Sequence, residues 1–569
     1  MNDKHIIYND DFETVIWGNM PESAQELAEL YYRVRGTGVT SYAVKVAEFD
    51  NKIYYDTKCG IDWAKIDFNS YGSHWDSYAT MARLLLKLRD EGTEALKVCV
   101  DSCRDMDIEP IATFRMNDCH GMIPLDTPNN ADISFILKKH PEYAITRPGT
   151  GERVRIADFR HQFIRDYRLA IIKEAVEKFD FDGVEMDFMR SATYFSPDRY
   201  AGMYGFISER RFAELAPLLT DMVCQLRRYL DELATRKGKQ RLRLGVRVPE
   251  TLQAARQCGF DVPTWVRDAR LDYICPTGYQ ATNHNMPVEE YRRLCDGTNC
   301  EIYPSLFPMP SARPRVMATI ATEVWAATAQ TYFRGGANGV SLFNHFHAAT
   351  KQWGKFNDDA LHLLGSSQKV AEAKHHYFIS HPADTKVPVE DANAHSGFHG
   401  ALASSTGYRG VFPFRFGEDL NATGRQVHKA RIKVLEMTPD DEVFIDLNAT
   451  PIPFRTEWRR REVKGTELAE GRWQPTIEGW DGEAIEGAAV AETLTYLKDP
   501  SFRRNEYVQA GDIGKGWDVF MLVHLDEATV AKALLPGEND LGVTVLKRRD
   551  DALFELYARE LEIVVGGAG

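Results

Sequence analysis

Residues 163–190 read FIRDYRLAIIKEAVEKFDFDGVEMDFMR, and the two periodicities in this stretch decide the fold. Ile164, Tyr167, Ile171, Ala175 and Phe179, with Ile172 and Val176 beside them, recur at helical intervals and mark one buried helix face. After Asp182 the interval becomes that of a strand. Val184, Met186 and Phe188 alternate with Glu185 and Asp187, so the apolar set faces one side and the two acids face the other. A helix that feeds directly into such a strand is half of a parallel strand–helix–strand unit.

On either side of this stretch the same rhythm runs through the first two thirds of the chain. Strands are expected at 5–10, 39–46, 109–114, 183–188, 242–248, 273–277, 301–306 and 339–343. The stretch from Ala318 to Phe333 is expected to be the helix before the last of these, stopped by Gly335-Gly336. Eight such units would close a (β/α)8 TIM barrel. Beyond Trp353 the character changes: a Pro- and Asp-bearing linker near 381–393 precedes short alternating runs at 426–434, 443–447, 494–497, 519–523, 543–546 and 560–565. The expected architecture is a catalytic barrel over 1–385 and a C-terminal antiparallel β-sandwich over 386–569, the latter supplying no catalytic acid.

Composition narrows the function. A length of 569 residues asks for at least two domains, and a hydrophobic share of 44% supports packed cores. The net charge of −14 argues against a surface that tracks nucleic-acid phosphates. Nine cysteines lack a framework spacing; Cys99 and Cys103 share a helix face without a second pair, which reads as buried free thiols. No run approaches a membrane span, and the start MNDKHIIYNDDFE has no leader pattern. As written the chain reads as cytoplasmic, or as periplasmic or secreted if a signal peptide has been removed.

In a TIM barrel the active site forms at the C-terminal ends of the strands. Glu185 and Asp187 are therefore expected to point into the barrel at that end, where two carboxylates must be charged, paired or protonated at a cost. The alternative is a buried salt bridge to Arg115 or Arg247, a reading that suits Glu185 alone better than the pair. The segment FDFDGVEMDFMR resembles the fourth-strand signature of several glycoside hydrolase barrels, and most closely that of enzymes described as family-10-like glycosyl hydrolases. The Arg165-Asp166-Tyr167 of the preceding helix and the segment GGANGVSLFNHFH at 335–347 carry the same resemblance, which covers the barrel part. It implies a glycosidase acting on an oligo- or polysaccharide.

Departures keep any family's catalytic residues from being carried over. In the chitinase-type pattern D-G-x-D-x-D-x-E starting at Asp182, Glu185 replaces the second Asp and Met189 stands where the catalytic Glu belongs. Cellulase- and xylanase-type barrels have Asn-Glu after the fourth strand and a Glu ending the seventh; this chain has Met186-Asp187, and Glu301 stands at the opposite end.

Cleavage of a glycosidic bond needs two carboxyl groups, one to protonate the leaving oxygen and one to attack or to activate water. Asp187 is the first choice for the second role. Glu250, just past the fifth strand, is its expected partner; Asp118 after the third strand is the rival, and Glu185 would tune its neighbour by like-charge repulsion. Polar groups at the other strand ends are expected to hold sugar hydroxyls: Asp10, Arg115, Asn117, His120, Arg190, Arg247, Tyr279, Gln280, Asn344, His345 and His347. Tyr279, Tyr194 or Trp353 would offer an aromatic platform.

No cofactor or metal is called for, and the expected partner is a carbohydrate, with neither nucleic acid nor membrane; assembly into a homo-oligomer stays open. The competing reading is a metal-dependent hydrolase or sugar isomerase, with His120, Glu185, Asp187, His345 and His347 around one ion. Against it, no H-x-H follows the first strand. A third reading is a non-catalytic carbohydrate-binding protein.

Overall fold

The computed structural model describes residues 3–567 except 14–15, 17–18, 51, 69–75, 118–123, 128–133, 202–203, 279–281, 308–321, 344–357, 381–400, 403–406, 408, 436, 463, 469–471, 477–516 and 549–555. The strands β1 (His5–Asp10), β2 (Ser41–Ala47), β3 (Glu109–Arg115), β4 (Gly183–Asp187), β5 (Arg243–Pro249), β6 (Tyr273–Thr277), β7 (Glu301–Ile302), β8 (Ser305–Leu306) and β9 (Gly339–Phe343) form one nine-stranded sheet. Every pairing in it is parallel, in the order β7-β6-β5-β4-β3-β2-β1-β9-β8.

The segment expected as one strand over 301–306 is thus two short ones. Pro304 lies between them and has no N–H to donate. β7 pairs with β6 and β8 with β9, so the two ends of the sheet's path lie on this single segment. Tyr303 N donates to Ile274 O on one side and Ser341 N to Pro304 O on the other. The sheet is therefore strongly curled.

Alternation along β4 is as the sequence requires. Val184, Met186 and Phe188 are fully buried in the core under the helices, where the Phe188 ring lies 5.2 Å from Phe260 and 5.1 Å from Trp265. The opposite face holds a separate small cluster of Ile7, Ala43, Ile111, Tyr273, Cys275 and Tyr303. Space there is tight: a Cβ on Gly245 would lie 2.0 Å from Cζ of Tyr273, so the absent side chain is what admits the ring.

The helix before β4 spans Gln162–Lys178 and buries Ile164, Ile171, Ile172, Ala175 and Val176. It also buries Arg168, which the apolar pattern does not reveal. Its guanidinium donates to the carbonyls of Phe49 at 2.5 Å and Arg115 at 2.8 Å, tying the C-terminal ends of β2 and β3 together. The helix before β9 spans Thr322–Arg334 and stops at Gly335-Gly336, where Gly336 has φ +95°.

The C-terminal part is antiparallel. One six-stranded sheet contains His375–Ser380, Leu556–Gly566, Gln426–Leu435, Trp517–Leu525 and Phe454–Glu462 in that order, with Ala401–Leu402 beside Leu556–Gly566. A four-stranded sheet contains Arg409–Phe416, Gly537–Lys547, Glu442–Leu447 and Thr450–Pro451. Both contribute to one core, including Tyr377, Ile432, Val523 and Ile563 from the first and Phe412, Phe414, Ile445 and Val543 from the second. Ala327 of the Thr322–Arg334 helix joins this core, so the two parts pack on each other. The strands expected near 426–434, 443–447, 519–523, 543–546 and 560–565 are present. The expected linker at 381–393 and strand at 494–497 lie outside the described residues.

Candidate functional site

Register decides what meets at the C-terminal ends of the strands. Asp187 ends β4 opposite Arg115 of β3 and Arg247 of β5, while Glu185 lies one pleat deeper opposite Thr113. Both acids are buried.

Asp187 forms an ion pair with Arg247, Nη1 to Oδ2 at 2.7 Å, and its Oδ1 accepts from Met189 N at 2.9 Å. The buried salt bridge weighed from the sequence is real, and it falls on Asp187. Arg247 is further fixed by a donation to Thr277 Oγ1 at 3.3 Å and by the Phe343 ring, whose centroid is 3.5 Å from the guanidinium carbon. Phe307 stands beside Phe343, with ring centroids 5.8 Å apart.

Among the described residues Glu185 has no cationic partner of this kind. Its Oε1 accepts from Asn9 Nδ2 at 3.0 Å and Thr113 Oγ1 at 2.9 Å, and Cys275 Sγ is 3.7 Å from Oε2. Burial pushes its carboxyl up to about 7, with Arg247 opposing and Asp187 adding to the rise.

Glu250 follows β5 directly, as the sequence implies. It is buried, its Oε2 accepts from Asn283 Nδ2 at 2.7 Å, and burial raises its carboxyl to about 7 against that hydrogen bond. The backbone before it is fixed by Tyr291, whose hydroxyl donates to Pro249 O at 2.5 Å. Asn283 is held in turn: its side-chain oxygen accepts from Asn285 N at 2.9 Å, and its carbonyl accepts from the Tyr332 hydroxyl at 2.5 Å.

At the ends of β1 to β3 the structure sets the expected Asp10 and Arg115 among charges the sequence does not reveal: Glu13, Lys45, Glu48 and Lys52. Lys45 pairs with Glu13 at 3.1 Å and Glu48 at 2.6 Å, and Lys52 reaches the same two acids at 3.2 and 3.1 Å. Arg115 pairs with Glu48 at 3.0 Å and lies 3.9 Å from Asp11. Lys45 inside the apolar run of β2 was the available signal, since a lysine on the buried inner face of the curled sheet needs an acid. Asp10 accepts from the Tyr42 hydroxyl at 2.8 Å and Phe12 N at 2.7 Å, and burial together with Asp11 raises it to about 7.

Two residues expected to meet a sugar have other work. The side-chain amide of Asn117 donates to Ala157 O at 2.9 Å and Thr193 O at 2.8 Å, pinning two loops. Tyr194 is packed among Phe159, Phe188 and Phe260. Arg190 is partly buried just beyond β4. Asp118, His120, Tyr279, Gln280, Asn344, His345, His347 and Trp353 lie outside the described residues. Among the described residues no three His, Cys, Asp or Glu side chains are grouped to hold a metal ion, and no helix is long and apolar enough to cross a membrane.

No protein-family model and no curated protein matches the chain, so its resemblance to family-10-like glycosyl hydrolases stays at the level of motifs. Among solved structures it is similar to a cycloisomaltooligosaccharide glucanotransferase from Paenibacillus sp., with 8% identity over 98% of this chain and TM-score 0.34. The chain spans only 57% of that enzyme's length. A maltogenic alpha-amylase from Thermotoga neapolitana matches with 14% identity, TM-score 0.35, and coverage of 67% of this chain and 80% of that one. An alpha-amylase from Geobacillus thermoleovorans matches with 10% identity, TM-score 0.35, and coverage of 92% and 98%.

Proposed function

We propose that the protein is a glycoside hydrolase that cleaves a bond in an oligo- or polysaccharide with Asp187 and Glu250. In this reading the curled sheet is a complete (β/α)8 barrel closed through 301–306, and the two antiparallel sheets are a sandwich that begins at His375–Ser380. The observation that carries the chemistry is the contrast between two carboxyls at adjacent strand ends. Asp187 is an ion-paired carboxylate against Arg247, whereas Glu250 keeps its proton up to about pH 7 because it is buried with no ion-pair partner among the described residues. Two acids whose surroundings divide them into a charged and a protonated form are what the reaction needs.

Glu250 then donates its proton to the leaving oxygen, and Asp187 attacks the anomeric carbon or takes a proton from the attacking water. Arg247, clamped by Thr277 and Phe343, keeps the Asp187 carboxylate aimed. Phe343 and Phe307 give the mouth an apolar wall suited to the C–H face of a sugar. A metal-centred reading would set a cation beside the Arg247 guanidinium that already pairs with Asp187.

The test is turnover of a panel of 4-nitrophenyl hexosides by the wild type and by Asp187→Asn. The Asn side chain keeps an acceptor for Arg247, so the variant is expected to fold. Its turnover should fall at least roughly a hundredfold, the scale of losing one positioned acid or base. Wild-type inertness across the panel, or near-normal turnover in Asp187→Asn, overturns the reading.

A further inference from the structure

The C-terminal part reaches the loop that holds Glu250. Arg415, in the strand Arg409–Phe416, donates its backbone N–H to Asn285 Oδ1 at 2.9 Å and its Nη1 to Asn285 O at 3.0 Å. Asn285 Nδ2 donates to Pro413 O at 3.1 Å, and the neighbouring His284 places Nε2 3.1 Å from Arg415 O. The Arg415 side chain is anchored by Glu538 at 2.8 Å and lies 3.4 Å from Glu289. Asn285 N in turn donates to Asn283 Oδ1, and Asn283 Nδ2 donates to Glu250. With its oxygen held by Asn285 N, the Asn283 amide can only present its NH2 to Glu250.

We infer that the strand Arg409–Phe416 positions the carboxyl of Glu250 through Asn285 and Asn283, so the appended sheets form part of the site although they contribute no catalytic residue. The role of Glu250 as proton donor rests on the function proposed above; its positioning does not. The groups around it are few. Asn283 faces it from the loop after β6, and the phenols of Tyr291 on the helix Val288–Cys295 and Tyr332 on Thr322–Arg334 lie close enough to be affected by its charge. Glu290 Oε2 accepts from Leu252 N nearby, and Cys258 also acts on Tyr291. Among the described residues, the only hydrogen bond opposing burial at Glu250 is the one from Asn283. Loosening the dock therefore weakens the one interaction that favours its ionised form.

The experiment follows the Glu250 carboxyl by infrared spectroscopy in the full-length protein, its C=O band assigned by its loss in Glu250→Gln. In Asn285→Ala and in Arg415→Ala the titration midpoint is expected to rise above the wild-type value near 7, by about half a unit or more. Arg415→Lys, which keeps one donor, should fall between. Arg409→Ala, on the same strand but paired with Asp446, should leave the midpoint in place. An unchanged midpoint in well-folded Asn285→Ala and Arg415→Ala overturns the inference, whatever the fate of the hydrolase reading. A raised midpoint in a protein that turns over no glycoside upholds the positioning and overturns only the chemistry.

Discussion

Glu185 and Asp187 stand on one face of one strand and differ in what they meet. Their shared direction was legible in the alternation with Val184, Met186 and Phe188. Which of them receives the arginine was not, because that depends on the register between β4 and β5, strands far apart in the chain. The same holds for Asn283, whose link to Glu250 comes from a loop fold rather than a motif. Glu185 keeps the proton in the native protein up to about pH 7, whereas an unfolded Glu loses it near 4.5. Between those values the native state binds the extra proton, so the stability this group contributes is complete below about 4.5 and disappears as pH rises through about 7. Glu185→Gln cannot titrate. Its urea midpoint, measured against wild type, is therefore expected to improve from pH 5 to about pH 7 and to level off by pH 8. A constant offset across that range would contradict a protonated Glu185.

At the scale of elements, the helix–strand rhythm gave the parallel order because each strand is a short apolar run with its own helix behind it. What it could not give was the break at Pro304, where the pattern continues but the N–H is missing, or the membership of His375–Ser380. That strand follows the last helices of the parallel part and pairs with Leu556–Gly566 at the far end of the chain, a partner no local pattern identifies. The charge cluster of Lys45, Lys52, Glu13 and Glu48 was hidden for a similar reason, since Glu13 follows β1 while the other three lie in β2 and the loop after it. Gly245 in β5 offers a test of the interior packing. Its replacement by Ala sets a methyl group 2.0 Å from the Tyr273 ring, and such overpacking typically costs about 1–3 kcal/mol. Gly245→Ala should lower the urea midpoint, and adding Tyr273→Leu should restore part of the loss. A wild-type midpoint in the single variant would mean that the ring does not lie against this glycine.

For the whole molecule, a curled parallel sheet brings the strand ends to one mouth, and the antiparallel sheets dock on the loop beside it through Arg415. In the proposed reaction Glu250 donates the proton that the leaving group needs while Asp187 attacks or activates water. The most direct measurement is the leaving-group dependence of Glu250→Gln, taken as kcat/KM on phenyl and on 2,4-dinitrophenyl glycosides of the preferred sugar. A phenolate needs protonation to depart and a dinitrophenolate hardly does. The variant is therefore expected to lose roughly a hundredfold or more on the phenyl glycoside and far less on the activated one. Equal losses on both substrates, or none on either, would contradict the assignment of Glu250 as the acid.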